Sequence, residues 1–237
     1  MHILYLDNHL LVAFKPPGLL AQADETGDMD ILTLGKAFIK KEFDKPGNVF
    51  LGLAHRLDRP VSGVMVLART SKAASRLTDQ FRRRTTTKQY LAIVEGELKG
   101  SGEYTDHMIK DGRNARIVEA SHPKGKRASL DWRVLGHQDG TTLVQVNLHT
   151  GRAHQIRLQF SSRGNPLLGD MRYWSKREFD GKNLALHAWS LGIEHPVKKE
   201  PMNWTAPPPK SWLGWYEKER ETLGIGGFIH PTPQISQ

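Results

Sequence analysis

Ala54-His55-Arg56-Leu57-Asp58-Arg59-Pro60-Val61-Ser62-Gly63-Val64-Met65-Val66-Leu67-Ala68 reads as a short polar turn running into a buried strand. Val64 to Leu67 is an unbroken apolar run, the pattern of a strand covered on both faces. Pro60 and Gly63 interrupt regular structure just ahead of it. Asp58 therefore stands in a constrained turn at the mouth of a core strand. An Asp in a turn is most often a structural cap. A carboxylate held beside a buried strand also needs compensating partners, and Arg56 and Arg59 flank this one closely.

Upstream, residues 2–20 form a predicted hairpin: His2 to Leu6 and Leu10 to Phe14 are β-type runs, Asp7-Asn8 is the turn, and Lys15-Pro16-Pro17-Gly18 stops the second strand. Asp24 to Asp28 is loop-like. Asp30 can cap a helix over 30–42 with Ile31, Leu34 and Phe38 on one face. Lys45-Pro46-Gly47-Asn48 ends it, and Val49 to Leu53 leads into the central stretch.

Downstream, Ser71 can cap a second helix, 71–83, with Ala74, Leu77 and Phe81 inward. Its other face carries Lys72, Arg76, Arg82, Arg83 and Arg84, and with Lys88 these cations face a single acid, Asp79. A charge run is usually a solvated helix face; this imbalance favours phosphate contact. Lys88 to Gly96 alternates as a strand. Residues 101–150 read as a β-meander, with turn signals at Asp111-Gly112, Lys124-Gly125 and Asp139-Gly140. Arg113, Arg116, Lys124, Lys126 and Arg127 are assigned to basic loops that would serve nucleic-acid contact or solubility.

His149-Thr150-Gly151-Arg152-Ala153-His154-Gln155-Ile156-Arg157-Leu158 opens a third helix, 152–162, with Thr150-Gly151 as its start. Ala153, Ile156 and Phe160 share the inward face, and Arg157 falls on the same side. An arginine turned toward a core calls for an acid, and Asp58 is the candidate. Residues 195–210 are rich in Pro, with Trp204, Trp212 and Trp215 around them; they read as an extended packed segment, followed by a short helix near 211–223 and a loose tail, 224–237.

The fold class is α+β: a mixed, mostly antiparallel curved sheet with flanking helices, taken as one domain over 1–223. There is no long apolar segment to span a membrane and no export-type N-terminus, so the expected setting is cytoplasmic. Cysteine is absent, which removes disulfides and thiolate metal sites. Lys plus Arg number 34 against 25 for Asp plus Glu, a net +9 that favours a polyanionic partner. No glycine-rich phosphate loop of the nucleotide-binding kind occurs.

His55-Arg56-Leu57-Asp58-x-x-x-Ser62-Gly63, followed by apolar residues and Ala68, resembles the catalytic motif of the RluA-type pseudouridine synthases. Lys15-Pro-x-Gly18 after a hairpin, Lys88-x-Tyr90-x-Ala92-x-Val94-x-Gly96, the stretch around Arg157, Gly164 to Asp170 and Leu186-His187-Ala188 extend the resemblance over most of 2–205. Departures are Val61 where many relatives have Thr, Ala153 for Thr or Ser, and Gln159 where a His often stands nearby.

The resemblance implies a pseudouridine synthase-like catalytic domain, an isomerase acting on uridine in rRNA or tRNA, with no metal and no organic cofactor. Asp58 is then the catalytic residue, Arg157 its partner, and Tyr90 stacks on the base. Arg56 fills the space of a flipped nucleotide. His55, Arg152, His154, Gln155, Ile156 and Leu186 contact substrate, and Arg76, Arg82, Arg83, Arg84 and Lys88 contact the RNA backbone. A monomer with no obligatory protein partner is expected, without the small N-terminal RNA-binding module of many relatives. The rival readings are an RNA-binding protein that has lost catalysis, and a metal-dependent hydrolase using His55, His154, His187 and Asp170. The latter lacks any His-x-x-x-His spacing.

Overall fold

The computed structural model describes residues 1–112, 114–181, 183–212, 214, 215, 219 and 221. The chain divides into two compact units: Met1–Thr86 with Ala188–Pro209, and Thr87–His187 with the described residues from Lys210 onward. The expected tail, 224–237, Arg113 and most of the expected helix near 211–223 lie outside the described residues; the part of that helix that is described is a single 3₁₀ turn, Lys210–Trp212.

In the first unit the strands are β1 (His2–Leu6), β2 (Leu10–Lys15), β3 (Gly52–Leu53), β4 (Ser62–Ala68) and, from the C-terminal part, β10 (Leu186–Glu194) and β11 (Pro201–Thr205). Their order is β1-β2-β4-β10, with β3 paired to β4 and β11 to β10. Every residue of β4 is buried, as its unbroken apolar run requires. Gly63 has φ +136, and a Cβ there would lie 2.3 Å from the Ala188 carbonyl oxygen. Only glycine lets β10 approach β4 so closely.

The two helices of this unit keep their expected extents but turn slightly from the expected faces. In α1 (Ile31–Glu42) Asp30 caps the N-terminus, accepting from Thr33 N at 3.0 Å. The buried residues are Ile31, Gly35 and Ile39, while Leu34 and Phe38 are half-buried. Gly35 explains the rotation: its bare Cα admits the Leu51 side chain, which would stand 2.6 Å from a Cβ. In α2 (Ser71–Arg83) the cap is Thr70 rather than Ser71. Its buried residues are Ala73, Leu77 and Gln80. Gln80 turns inward because its amide grips the β10 backbone from both sides, donating to Glu194 O at 2.8 Å and accepting from Glu194 N at 2.9 Å.

Asp7, read from sequence as a turn residue, also organises a buried knot. Its carboxylate accepts from His9 N and Leu10 N, each at 2.8 Å, and from Tyr5 OH at 3.0 Å. Buried His195 adds Nε2 at 2.9 Å.

The second unit carries β5 (Thr87–Glu95), β6 (Ser101–Asp111), β7 (Asn114–Val118), β8 (Lys126–Gln138) and β9 (Thr141–Leu148), ordered β5-β9-β8-β6-β7. The meander and its turns match the sequence reading. Asp139 and Gly140 both take positive φ, 51° and 68°, as a two-residue hairpin turn demands. Arg116, Lys126 and Arg127, assigned to loops, lie in β7 and β8. The strand pairs detailed in both units are antiparallel, with one isolated parallel bridge between Leu20 and Asp30. The result is an α+β fold with a mixed, mostly antiparallel sheet. No helix among the described residues is long and apolar enough to cross a membrane.

Candidate active site

In the first unit the centre is the turn before β4. Asp58 is half-buried, and its carbonyl accepts from Val61 N at 3.0 Å, closing the turn at Pro60. The next residue ties this turn to the one that ends β2: Gly18 N donates to Arg59 O at 2.8 Å, and Arg59 Nε donates to Gly18 O at 3.1 Å. Arg59, one of the two arginines expected to compensate Asp58, instead has its ion pair with Asp28, at 2.7 Å. Arg56 is exposed. His55 is an organising residue: its Nε2 accepts from Val66 N at 3.0 Å, and its ring stacks on Phe81 with centroids 4.6 Å apart.

Sequence reasoning passed over the buried cation here. Lys15 is fully buried, and its Nζ donates to Pro16 O, Leu19 O and Arg59 O at 3.1, 2.7 and 3.1 Å. Three carbonyls match the three protons of an ammonium. Burial nevertheless pushes the Lys15 pKa down to about 7; the charge of Asp58 acts against that fall and Arg59 adds to it. The signal was a lysine closing the apolar strand Leu10–Phe14, where its stem had to be buried.

A stability prediction follows from this cation. The unfolded chain holds the proton up to about pH 10.5 and the folded chain releases it near pH 7. Unfolded protein therefore binds more protons across that window, and stability should rise with pH, by up to ~1.4 kcal/mol per pH unit. Lys15→Met should abolish this contribution. Urea midpoints of both proteins at several pH values between 7 and 10 check it; parallel profiles would show that Lys15 does not titrate there.

In the second unit the centre is the start of α3 (Gln155–Ser161), which is buried throughout. The helix begins at Gln155, not at 152 as the sequence suggested, and Ala153 is exposed before it rather than inward. The reason is the Gln155 amide. Its oxygen accepts from Thr150 Oγ1 at 2.7 Å and from Arg152 N at 3.1 Å, and its nitrogen donates to Ser129 O at 3.1 Å. These bonds fold residues 150–154 into a polar loop that ends with His154 in the left-handed region, φ 55°.

Arg157 is 5% exposed and makes a two-pronged pair with Asp170: Nε to Oδ2 at 2.6 Å and Nη2 to Oδ1 at 2.8 Å. The sequence offered Asp58 as its acid; Asp170 is the partner that this unit itself supplies. The guanidinium lies 5.0 Å from the Tyr173 ring centroid. Tyr173 OH accepts from Ala115 N at 3.0 Å and bonds His154 Nδ1 at 2.7 Å. Burial raises the Tyr173 pKa, so the phenol stays protonated and can donate to His154.

The other expected site residues divide clearly. Tyr90 is half-buried in β5, opposite Val146 of β9. Gln155, Ile156 and Leu186 are buried, with Gln155 held by internal bonds. Arg152 Nε donates to Arg127 O at 3.0 Å. In α2, Arg76 donates to Pro196 O at 2.7 Å, a structural commitment. Arg82 and Arg83 both pair with Asp79, at 2.5 and 2.6 Å, yet their side chains remain 76% and 57% exposed. Arg84 is exposed and Lys88 half-buried.

The four residues of the metal-hydrolase reading do not form a metal-binding set. Asp170 holds Arg157, His154 holds Tyr173 and His55 holds Val66 N. Among the described residues no group of three His, Cys, Asp or Glu side chains could hold an ion.

Comparison with known proteins adds to this geometry. The family profile described as RNA pseudouridylate synthase matches residues 9–162. Ribosomal large subunit pseudouridine synthase D of Yersinia pestis is 32% identical over 229 residues, covering 90% of this chain and 69% of its own length. Ribosomal large subunit pseudouridine synthase C of Vibrio vulnificus is 34% identical, covering 86% of this chain and 65% of its own. The dual-specificity RNA pseudouridine synthase RluA of Haemophilus influenzae is 36% identical, covering 87% and 92% respectively. Among solved structures, human RNA Pseudouridylate Synthase Domain Containing 4 superposes with a TM-score of 0.75 at 24% identity, over 92% of this chain and 93% of that one.

Proposed function

Because this chain belongs to the RNA pseudouridylate synthase family, whose members isomerise uridine in RNA, we propose that its substrates are uridines in structured ribosomal or transfer RNA and that Asp58 carries the chemistry. We further infer that residues 1–223 act as one catalytic domain, monomeric, cytoplasmic and independent of a protein partner.

The observation that supports this reading best is the Asp58 turn itself. Its backbone is clamped to a second turn, and a buried ammonium that responds to the Asp58 charge lies beneath it. The backbone bonds to the second turn hold the Asp58 turn in one conformation.

The reaction breaks the glycosidic bond at N1 of uracil and re-forms it at C5, with no net redox change. A base within a stem is inaccessible, so it is flipped out, at about a few kcal/mol. Asp58 then adds to the ring or the sugar, or stabilises the charged intermediate. Arg56, exposed beside it, fills the gap left in the stack. The resemblance makes Arg157 the partner of the catalytic carboxylate, and within its own unit Asp170 fixes the plane of the Arg157 fork. Tyr90 stacks on the uracil.

Incubating the purified protein with unmodified rRNA and tRNA transcripts, then mapping pseudouridine, tests the reading. Discrete new sites are expected; no modification of either RNA class would overturn the substrate assignment. Two substitutions refine it. Tyr90→Phe keeps the ring and Tyr90→Leu removes stacking worth roughly 1–3 kcal/mol, so the Leu variant should be about tenfold or more slower than the Phe variant; equal losses would make the hydroxyl the working group. Neutralising Arg82, Arg83 and Arg84 together should lower the salt slope of RNA binding by up to ~2. An unchanged slope would mark the α2 face as merely solvated.

A further inference from the structure

The first unit has a second basic surface that the chemistry above does not use. Lys36 and Lys40 stand one turn apart on α1, and with Ala37, Gly47, Asn48 and Val49 they line a cleft of about 360 Å³. A second cleft of about 320 Å³ shares Asn48 and Val49 and adds Asn8, Lys45, Phe50 and Arg69. Lys36, Lys40 and Lys45 are exposed, and among the described residues none has an acid partner. Lys40, in the last turn of α1, suits the helix dipole, whereas Lys36, one turn earlier, adds a like charge that the helix does not need. Phe50, which lines the second cleft with Lys45 and Arg69, is 50% exposed. Neighbouring Phe43, 38% exposed, lies 4.5 Å from the Arg69 guanidinium.

Lysines lining two clefts that share Asn48 and Val49, with an exposed aromatic in the second, suit a single-stranded nucleic acid. Phosphates meet the ammonium groups and an unstacked base lies on the ring. We propose that this paired cleft binds a flanking segment of the substrate RNA, with phosphates on Lys36, Lys40 and Lys45 and a base on Phe50. The proposal rests on RNA being the substrate that Asp58 isomerises.

The position supports a remote contact. Lys15 pairs with Gly63 at the Asp58 end of β4, whereas Leu10 pairs with Ala68 at the other end, beside Asn8 and Arg69. The residues between span roughly 17 Å, several base-pair steps of a duplex. The clefts therefore reach RNA that the catalytic turn cannot, and they would read the context of the target rather than the target itself.

The test compares Lys36→Ala/Lys40→Ala and Phe50→Ala with unaltered protein on two RNAs: a full-length structured substrate and a stem cut to about three base pairs either side of the target. Direct binding is measured in parallel with pseudouridine formation, so that loss of RNA contact is read even on an RNA that is not modified. On the long RNA, Phe50→Ala should bind at least about fivefold more weakly, and the lysine pair should lower the salt slope by about 1–2. The kcat at saturation and all parameters on the short stem should be unchanged. Unchanged binding of the long RNA would overturn the proposal and leave the patch to another occupant. Equal losses on both RNAs would overturn it as well, since the residues would then act near the reacting base or on the fold.

Discussion

Asp58→Asn protein should fold, bind RNA with little loss and form almost no pseudouridine, with turnover down by at least about 10³-fold. Asparagine keeps the shape of the side chain and the carbonyl that closes the turn at Val61, but it is neither charged nor nucleophilic. Asp58 is only half-buried, so the fold should tolerate the change. A second readout confirms that the right group was altered. The Asp58 charge acts to raise the Lys15 pKa, so its loss should extend the proton-release window of Lys15 below pH 7. Release of tritium from C5-labelled uridine measures turnover, and urea unfolding against pH measures the shift. Substantial turnover by folded Asp58→Asn protein would remove Asp58 from the mechanism.

Removing the Asp170 carboxylate should be the most destabilising single change in the second unit. Asp170→Ala leaves Arg157 buried without its two-pronged acid, which costs on the order of 3–5 kcal/mol. The double variant Asp170→Leu/Arg157→Met replaces the pair with apolar groups and should recover most of that stability, because a buried pair is seldom better than well-packed hydrophobic residues. It should not recover activity if Arg157 has the role proposed for it, because the guanidinium is gone. Denaturant midpoints and tritium release, measured on all three proteins, separate the two roles. A stable and active double variant would show that the pair is scaffolding only.

The sequence made legible those parts of the fold in which neighbours along the chain decide the outcome. The buried β4 run, the Asp30 cap and the hairpin turn at Asp139-Gly140 are local facts, and the structure agrees with them. Misreadings arose where a side chain outside the repeating pattern intervened. Leu51 pressing on Gly35 turned α1, Glu194 gripped by Gln80 turned α2, and the Gln155 amide took over bonds that would have started α3 earlier. In the candidate site, Asp58, Tyr90 and Arg157 were proposed from motif resemblance, and Asp58 and Arg157 also from the cost of burying a charge. Lys15 and Asp170 were not assigned their partners: the Lys15 ammonium is caged by two local carbonyls and that of Arg59, 44 residues away, and the Asp170 fork closes across thirteen residues of chain.

The close approach of β10 to β4 at Gly63 sets an order of events on the ribosome. β4 leaves the exit tunnel early, but the strand that must lie against it is made about 120 residues later, a delay of roughly 6–24 s at ordinary rates of translation. Until then one side of a fully buried strand is incompletely paired, a template for intermolecular strand addition. The whole of β5 to α3 is synthesised within this interval and can condense first. The nascent protein therefore matures from its middle outward, and its dependence on holding chaperones should be greatest while residues 69–187 are emerging.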